Sequence, residues 1–403
     1  MVFPVNAVTR SVARHILLLS EWFPPAVGGS GELLANVYSR LSTSAVDVIT
    51  AKMTGGLGDD SQNARLRTTR SEFPARPGLL SISGIGTHLR LIRAARKVAR
   101  HDTVLHCGRA LPEGSVAWLW RHHSGPNYLC WTHGEELTYA AQSRELSWLQ
   151  RRVHGRAAAL IANSHNTAGL LRTLGNPTDK VHVVHPGVDG NKFRPGIGRD
   201  AIRSLLLREG ELLLLSVGRL QTRKGHDLVI RALPHILGSS PSLRYVIVGE
   251  GPEASRLKAL VAELGLTNRV SFAGPVPADK LPAYYAAADI FVHPNRMDGS
   301  EFEGFGLVFL EAAAAGLAAI GGRSGGVPEA VEHGRTGLLV GGDDVGELAA
   351  TIQLLAQSRA LREQLGSAAR ARVLMDFTWD SAAHKVEQID AELRQHASTA
   401  CVT

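Results

Sequence analysis

Apolar and polar positions alternate along this chain in short blocks, apolar runs of four to six residues followed by stretches with helical spacing. Residues 15–20, HILLLS, form an apolar run that Pro24 and Pro25 bring to a stop. Gly28, Gly29 and Gly31 follow, and an amphipathic pattern then runs over residues 32–41. Strand, glycine loop, helix is the order this predicts, with the glycines allowing close backbone approach at the helix start. Residues 45–50 predict the next strand, and residues 55–78, polar and Arg-rich, a mobile surface loop. Over residues 87–100, THLRLIRAARKVAR places Leu89, Ile92, Ala95, Val98 and Ala99 on one side of a helix, with Arg90, Arg93, Arg96, Lys97 and Arg100 around the rest. Strands are expected at 104–107, 128–132 and 157–163, helices at 114–121 and 166–174, the latter capped by Ser164.

The Pro and Gly content of residues 185–195 marks a linker, after which the alternation restarts. Strands are predicted at 212–217, 245–248, 270–272 and 290–293, with helices at 225–237, 253–264 and 281–288 between them. Two such series imply an α/β protein with parallel sheets carrying helices on both faces. The expected organisation is two Rossmann-like domains facing across a cleft. Residues 1–186 would form the first and 187–376 the second, with a final helix in 377–403 packing back on the first.

A length of 403 residues suffices for two such domains, and 44% hydrophobic with 20% charged residues is a globular composition. The net charge of +7 is uneven: residues 1–190 hold 21 Lys plus Arg against 13 Asp plus Glu, and the remainder 23 against 24. A basic first half and the basic 87–100 helix point to peripheral contact with an anionic membrane, against the plainer reading of a solvated face. No nucleic-acid partner is expected. Cys107, Cys130 and Cys401 have no metal-type spacing and are expected as reduced thiols of a cytoplasmic protein. Residues 304–322 form an apolar window, but a membrane span there would bury Glu311 at a cost of about 2.5 to 3.5 kcal/mol, and its glycines divide it into helix, turn and strand.

The chemistry concentrates in Glu303-Gly304-Phe305-Gly306-Leu307-Val308-Phe309-Leu310-Glu311. Gly304 and Gly306 would break a helix interior, so they belong at an N-terminus, with a helix over about 307–315 and Gly316 beyond its end. Glu303 then lies in the entering loop and Glu311 on the helix wall. Their carboxylates would be roughly 10 Å or more apart, beyond the ~5 to 9.5 Å of a glycosidase pair. Two carboxylates with glycine-exposed N–H groups between them, at the positive end of a helix, suit a ligand with hydroxyls at both ends and phosphates in the middle. That description fits a nucleotide sugar. Arg219 and Lys224 flank a strand-to-helix turn and would serve as a pyrophosphate clamp, each being otherwise an ordinary surface cation. His133 follows the strand expected at 128–132, where open α/β sheets present ligand-contacting groups. Neither D-x-D nor H-E-x-x-H occurs, so no metal and no cofactor is expected.

Eight segments in order, FPPAVGGSG, WTHGEE, HPGVD, VGRLQTRKG, VGEGP, EGFGLVFLE, SGGVPE and GRTGLL, make the chain resemble the family-four retaining glycosyltransferases of GT-B architecture over nearly its whole length. HPNRMDGSEFEGFGLVFLEA is most similar to bacterial phosphatidylinositol mannosyltransferases. The resemblance implies that Gly28 and Gly29 approach the donor phosphates and that His133 faces the donor sugar. It also implies that Arg219 and Lys224 neutralise the diphosphate, Glu303 holds sugar hydroxyls, Glu311 holds the ribose, and Gly304, Phe305, Gly306 and Leu307 line the donor. The activity implied is retaining, metal-independent transfer of a hexosyl group, mannosyl favoured, from a nucleotide diphosphate sugar to a hydroxyl acceptor. It would serve glycolipid or polysaccharide synthesis, at the inner face of the plasma membrane if the membrane contact holds. A nucleotide-sugar epimerase on the same fold and a non-catalytic sugar-nucleotide binding protein are the alternatives.

Overall fold

A computed structural model describes residues 14–26, 28–42, 44–52, 66–74, 82–237 and 242–399. Most of the loop expected at 55–78, and Cys401, lie outside these residues. The first sheet contains β1 (Arg14–Ser20), β2 (Ser44–Ala51), β3 (Leu66–Ser71), β4 (Val104–Cys107), β5 (Tyr128–Thr132), β6 (Ala159–Ala162) and β7 (Val181–Val183) in the order β3-β2-β1-β4-β5-β6-β7. The second contains β8 (Leu212–Val217), β9 (Leu243–Val248), β10 (Val270–Gly274), β11 (Ile290–His293), β12 (Ala318–Gly322) and β13 (Gly337–Val340) in the order β10-β9-β8-β11-β12-β13. Neighbouring strands run parallel, as the strand-helix alternation requires. Strand order reverses between β1 and β4 and again between β8 and β11, which is where sheets of this kind leave room for ligands at their carboxyl ends.

Strand β3 was not expected. Its sequence LRTTRS buries Leu66 and leaves the rest partly or wholly exposed, the pattern of a sheet edge rather than of an apolar run. The 82–98 helix also differs from its prediction. Its buried face is His88, Leu91, Ile92 and Ala95, whereas Leu89 is 47% exposed. A row of cations on both flanks of the apolar stripe made its centre ambiguous by one position.

The chain divides into two compact units, one of residues 1–131, 149–159 and 387–403, the other of residues 132–148 and 160–386. In the second unit, alternate residues of β8 face opposite cores. Leu213, Leu215 and Val217 pack with the helices Leu281–Ala287, Leu307–Ala314 and Arg359–Asp376. Leu214 packs with His226–Ile236, Ala254–Glu263 and Val345–Gln357. A continuous apolar strand is what burial on both faces demands. No helix among the described residues is long and apolar enough to cross a membrane; the window at 304–322 is the Leu307–Ala314 helix followed by β12.

The first unit holds a buried polar chain. Trp131 Nε1 donates to the Tyr38 hydroxyl at 2.9 Å, Tyr38 bonds His106 Nδ1 at 2.6 Å, and His106 Nε2 lies 3.4 Å from Asp390, which Arg394 meets at 2.8 Å. Burial keeps His106 neutral, so its ring serves Asp390 as a hydrogen-bond donor. Burial opposes ionisation of Asp390 as well, but His106 and Arg394 outweigh it and bring its pKa down to about 2. The Trp379–Thr399 helix is thereby tied to β4 and, through Arg394 to the His15 carbonyl at 3.3 Å, to β1.

Asp390→Asn removes this charge and should cost about 3 kcal/mol at neutral pH. The native carboxylate, with its depressed pKa, contributes stability above the unfolded value and loses it as pH falls toward about 2. The difference between variant and native protein in denaturant titrations should therefore shrink between about pH 4 and pH 2.

Candidate active site

Strand β8 delivers the chain into Gly218, at φ 154°, and a short 3-10 turn, Thr222–Lys224, that ends in Gly225 at φ 73°. A Cβ at Gly225 would run into the Pro294 carbonyl, so glycine lets this turn lie directly on the segment leaving β11. The turn aims two cations inward. Arg223 is 9% exposed and the Lys224 side chain 11%.

Both meet Glu303. The Lys224 ammonium donates to its Oε2, Asn295 Nδ2 donates to the same oxygen at 2.9 Å, and Arg223 Nη1 lies at 3.4 Å. Burial would push the Glu303 carboxyl up, but Lys224 and then Arg223 more than offset it and hold it below the usual range. The other face of Arg223 meets Glu135 at 2.7 Å and, farther off, Glu301 at 3.6 Å. Beneath the cations lie His226 and His293, both fully buried and neutral; burial, then Lys224, takes His226 down to about 4.

Glu303 enters the Leu307–Ala314 helix through Gly304 and Gly306, the latter left-handed at φ 93°. The Glu303 carbonyl accepts from the Gly326 N–H at 2.9 Å. On its other side Gly304 lies against the His133 carbonyl and Asn163; a Cβ there would overlap the carbonyl and stand 3.0 Å from Asn163 Nδ2. His133 follows β5 directly. Its N–H donates to Glu136 Oε1 at 2.6 Å, and Asn163 Nδ2 donates to its carbonyl at 3.3 Å. Gly134, at φ 110°, allows Phe302 to approach. Thr138 Oγ1 donates to the Ser300 carbonyl at 2.7 Å and Gln142 to the Ser300 hydroxyl at 2.5 Å. The second unit thus gathers His133, Glu135, Arg223, Lys224, Asn295 and Glu303 around the ends of β8 and β11.

Several expected site residues lie elsewhere or differently. Arg219 is exposed, and its guanidinium makes no hydrogen bond or ion pair among the described residues. Glu311 receives the Tyr285 hydroxyl at 2.6 Å. Phe305 is 2% exposed and packs on His185 and Phe377, with ring centroids 5.3 and 5.8 Å away, so it supports the loop from below. Leu307 is half-buried as the first residue of its helix. Gly28 and Gly29 belong to the first unit, as N-cap and first residue of the Gly29–Tyr38 helix, with open space where a Gly28 side chain would be. Ser164 caps its helix as expected, accepting from the Thr167 N–H at 3.0 Å.

Sequence reasoning missed Arg223, Glu135 and Asn295. Arg223 adjoins Lys224 in the RKG segment and could have been taken with it; Asn295, two residues beyond β11, carried no signal by type. It also missed that His165, His185 and Glu329 converge, each offering a ligand-type atom within 4.8 Å of the others. The Glu329 oxygens there accept from the N–H groups of His165 and Asn166 at 2.7 and 2.8 Å and from the His185 ring at 2.9 Å. These bonds tie the linker and the His165–Thr173 helix to the Val327–Ala330 turn.

Residues 27–192 match the family model described as Glycosyltransferase Family 4, and residues 199–372 the one described as Glycosyl transferases group 1. The GDP-mannose-dependent alpha-(1-6)-phosphatidylinositol monomannoside mannosyltransferase of Mycobacterium tuberculosis is 32% identical over 376 residues, 92% of this chain and 97% of that protein. The D-inositol 3-phosphate glycosyltransferase of Streptomyces scabiei is 39% identical over 252 residues, 60% of this chain and 55% of that protein. Among solved structures, sucrose-phosphate synthase from Thermosynechococcus elongatus has a TM-score of 0.80 at 25% identity, covering 95% of this chain and 100% of that one. Anabaena HepE in complex with UDP and glucose has a TM-score of 0.79 at 20% identity, covering 94% and 100%. These structures share the two-sheet α/β fold.

Gly304→Ala should test how tightly this loop is held. The added methyl meets backbone and an amide rather than a flexible side-chain end, so thermal denaturation should show a loss of about 2 kcal/mol or more. A native-like melting temperature would mean that the loop and the His133 segment are not packed as described.

Proposed function

The chain belongs to the glycosyltransferases, and from that membership we propose a retaining, metal-independent transfer of a mannosyl group from GDP-mannose to a hydroxyl of a phosphoinositide-type glycolipid. The observation that carries this reading is the convergence of Lys224 and Arg223 on Glu303 at the N-terminus of the Leu307–Ala314 helix. In the reaction, negative charge grows on the departing diphosphate. Two cations and the N–H groups at Gly304 to Gly306 would meet that charge as it forms, beside the poorly solvated side chains of Arg223, Lys224 and Glu303. Glu303, fixed by three donors, would hold sugar hydroxyls as an acceptor, and His133 would face the sugar from the end of β5. Glu311 would take the ribose, with Tyr285 holding its orientation. Arg219, exposed and unengaged, is free to close on phosphate oxygens. No nucleophile is assigned, and the diphosphate itself would assist in removing the acceptor proton on the face from which it departs.

The donor and acceptor rest on the near full-length relative named as GDP-mannose-dependent and as acting on a phosphatidylinositol monomannoside. A lipid acceptor would require access to a membrane. On the 82–98 helix and just beyond it, Ile85 and Leu89, each 47% exposed, share a face with Arg93, Arg96, Lys97 and Arg100. Apolar groups beside four cations suit the interface of an anionic bilayer, which supports a position at the inner face of the plasma membrane. With the family shown, the epimerase alternative has no footing.

The direct test is transfer of label from GDP-mannose, UDP-glucose and UDP-N-acetylglucosamine to phosphatidylinositol mannoside, with the anomeric configuration read by NMR. Native protein should use GDP-mannose and retain configuration. Glu303→Gln should lower kcat by about 10² or more, and Lys224→Ala should abolish thermal stabilisation by GDP. If no nucleotide diphosphate stabilises the native protein, the donor site is wrongly assigned.

Membrane contact has a separate test. The protein should sediment with anionic vesicles at low salt and remain in solution when Arg93, Arg96 and Lys97 are changed to Glu, at about 1 kcal/mol per cation. Native protein that ignores such vesicles would rule out the contact.

A further inference from the structure

We propose that Glu135 is a place-holder for donor phosphate: it occupies Arg223 while the site is empty, gives it up when a nucleotide diphosphate arrives, and reclaims it as the product leaves. The proposal rests on the donor-site reading above and adds a positioning residue to it.

The argument begins with charge. Three carboxylates, Glu135, Glu301 and Glu303, surround two cations, Arg223 and Lys224, within 3.6 Å. Adding a diphosphate to all three would crowd negative charge around two positive groups, so a carboxylate must yield. Glu303 is the wrong one, because its side chain is only 12% exposed and it is shared among Lys224, Asn295 and Arg223. Glu301 is 55% exposed and 3.6 Å from Arg223, where solvent already weakens its hold. Glu135 makes the short contact, 2.7 Å to Nη2, from a side chain that is 42% exposed and can turn outward. It also begins the Glu135–Ala141 helix, so its stem has no upstream helical turn to confine it.

Electrostatics rank the two main competitors the same way. Glu303 is held below the usual carboxylate range, whereas burial pushes Glu135 up, with Arg223 offsetting only part of this and Glu303 adding to it. Arg223 therefore stabilises Glu303 as a fixed partner and Glu135 as a replaceable one. A phosphate oxygen offers the same Nη2 a charge-assisted hydrogen bond in place of the one to Glu135, whose carboxylate can then turn to solvent.

The exchange would be felt at the sugar. The segment that opens with His133 is fastened to the loop before Glu303 by Thr138 and Gln142 on Ser300 and by Phe302 against Gly134, and to the turn after β8 by the Glu135 to Arg223 pair. Phosphate removes only the ionic fastening and leaves the others in place. His133 would stay at the site while the start of its helix gains freedom.

Titration calorimetry with GDP and UDP tests this on native protein, Glu135→Gln, Glu301→Gln, Arg223→Ala and the Glu135→Gln/Arg223→Ala double variant. Glu135→Gln should bind nucleotide diphosphate about threefold or more tighter than native, and Glu301→Gln should gain less. In the Arg223→Ala background the Glu135 change should have no effect. Product inhibition by GDP should strengthen in step with the affinity of Glu135→Gln. Unchanged or weaker binding by Glu135→Gln, or an equal gain from Glu301→Gln, would overturn the place-holder role while leaving the donor site standing. Absence of binding by the native protein would overturn both.

Discussion

A carboxylate buried among two cations is the constraint around which the site is built. Taking Glu303 out of water costs several kcal/mol unless opposite charge and hydrogen bonds replace its hydration. Lys224, Arg223 and Asn295 supply that replacement, and the outcome is a carboxyl held below its ordinary range despite its burial. The converse holds for the cations, which could not remain poorly solvated beside each other without Glu303. Each charge makes the others tenable, so the cluster is positioned before any ligand arrives, and preorganisation of this kind is the main way a protein stabilises charge that develops during reaction.

Within the second unit, the fold makes the cluster possible by bringing the ends of β8 and β11 beside the segment that begins at Thr132. β8 releases Arg223 and Lys224, β11 leads to Asn295 and Glu303, and the 132–148 segment of the same unit supplies His133 and Glu135. Because the strands of each sheet are parallel, all these residues emerge at carboxyl ends. The loops then have to approach one another more closely than side chains permit. Gly225 against Pro294 and Gly304 against His133 are the two points where a Cβ would collide with backbone, and both lie between residues of the cluster. Glycine at these positions sets how closely the cations and Glu303 can meet.

Much of this was legible in the sequence because it depends on local pattern. The alternation of strand and helix, the glycine break before the 307–314 helix, and the prominence of Lys224 and Glu303 all follow from spacing and residue type. What was not legible depends on direction. Arg219 and Arg223 both lie between β8 and the His226–Ile236 helix, yet the first is exposed and the second is 9% exposed. Glu311 finds its partner in Tyr285, 26 residues away on another helix. The spacing puts Leu89 on the buried side because cations flank the apolar stripe of its helix on both sides, whereas the packed face uses His88 and Leu91, one position earlier. Strand β3, an edge with one buried apolar residue, has no alternation to read.

A site that binds a diphosphate strongly enough to help it leave a sugar faces the opposite demand a moment later, when the same diphosphate has to depart. Bare, preorganised cations would satisfy the first demand and fail the second, because the product carries more charge than the substrate and would be held more tightly. Internal carboxylates resolve the conflict by giving the empty site a low-energy arrangement of its own. In this protein they are graded: Glu303 is buried and fixed, Glu135 is close but half-exposed, and Glu301 is distant and exposed. Under the place-holder proposal, such a graded set would let the cations keep one partner throughout, exchange a second for phosphate, and leave the third to solvent. On the place-holder proposal, the acidic residues around the two cations would share in phosphate handling with the basic ones, and the residue that yields is set by contact distance together with exposure.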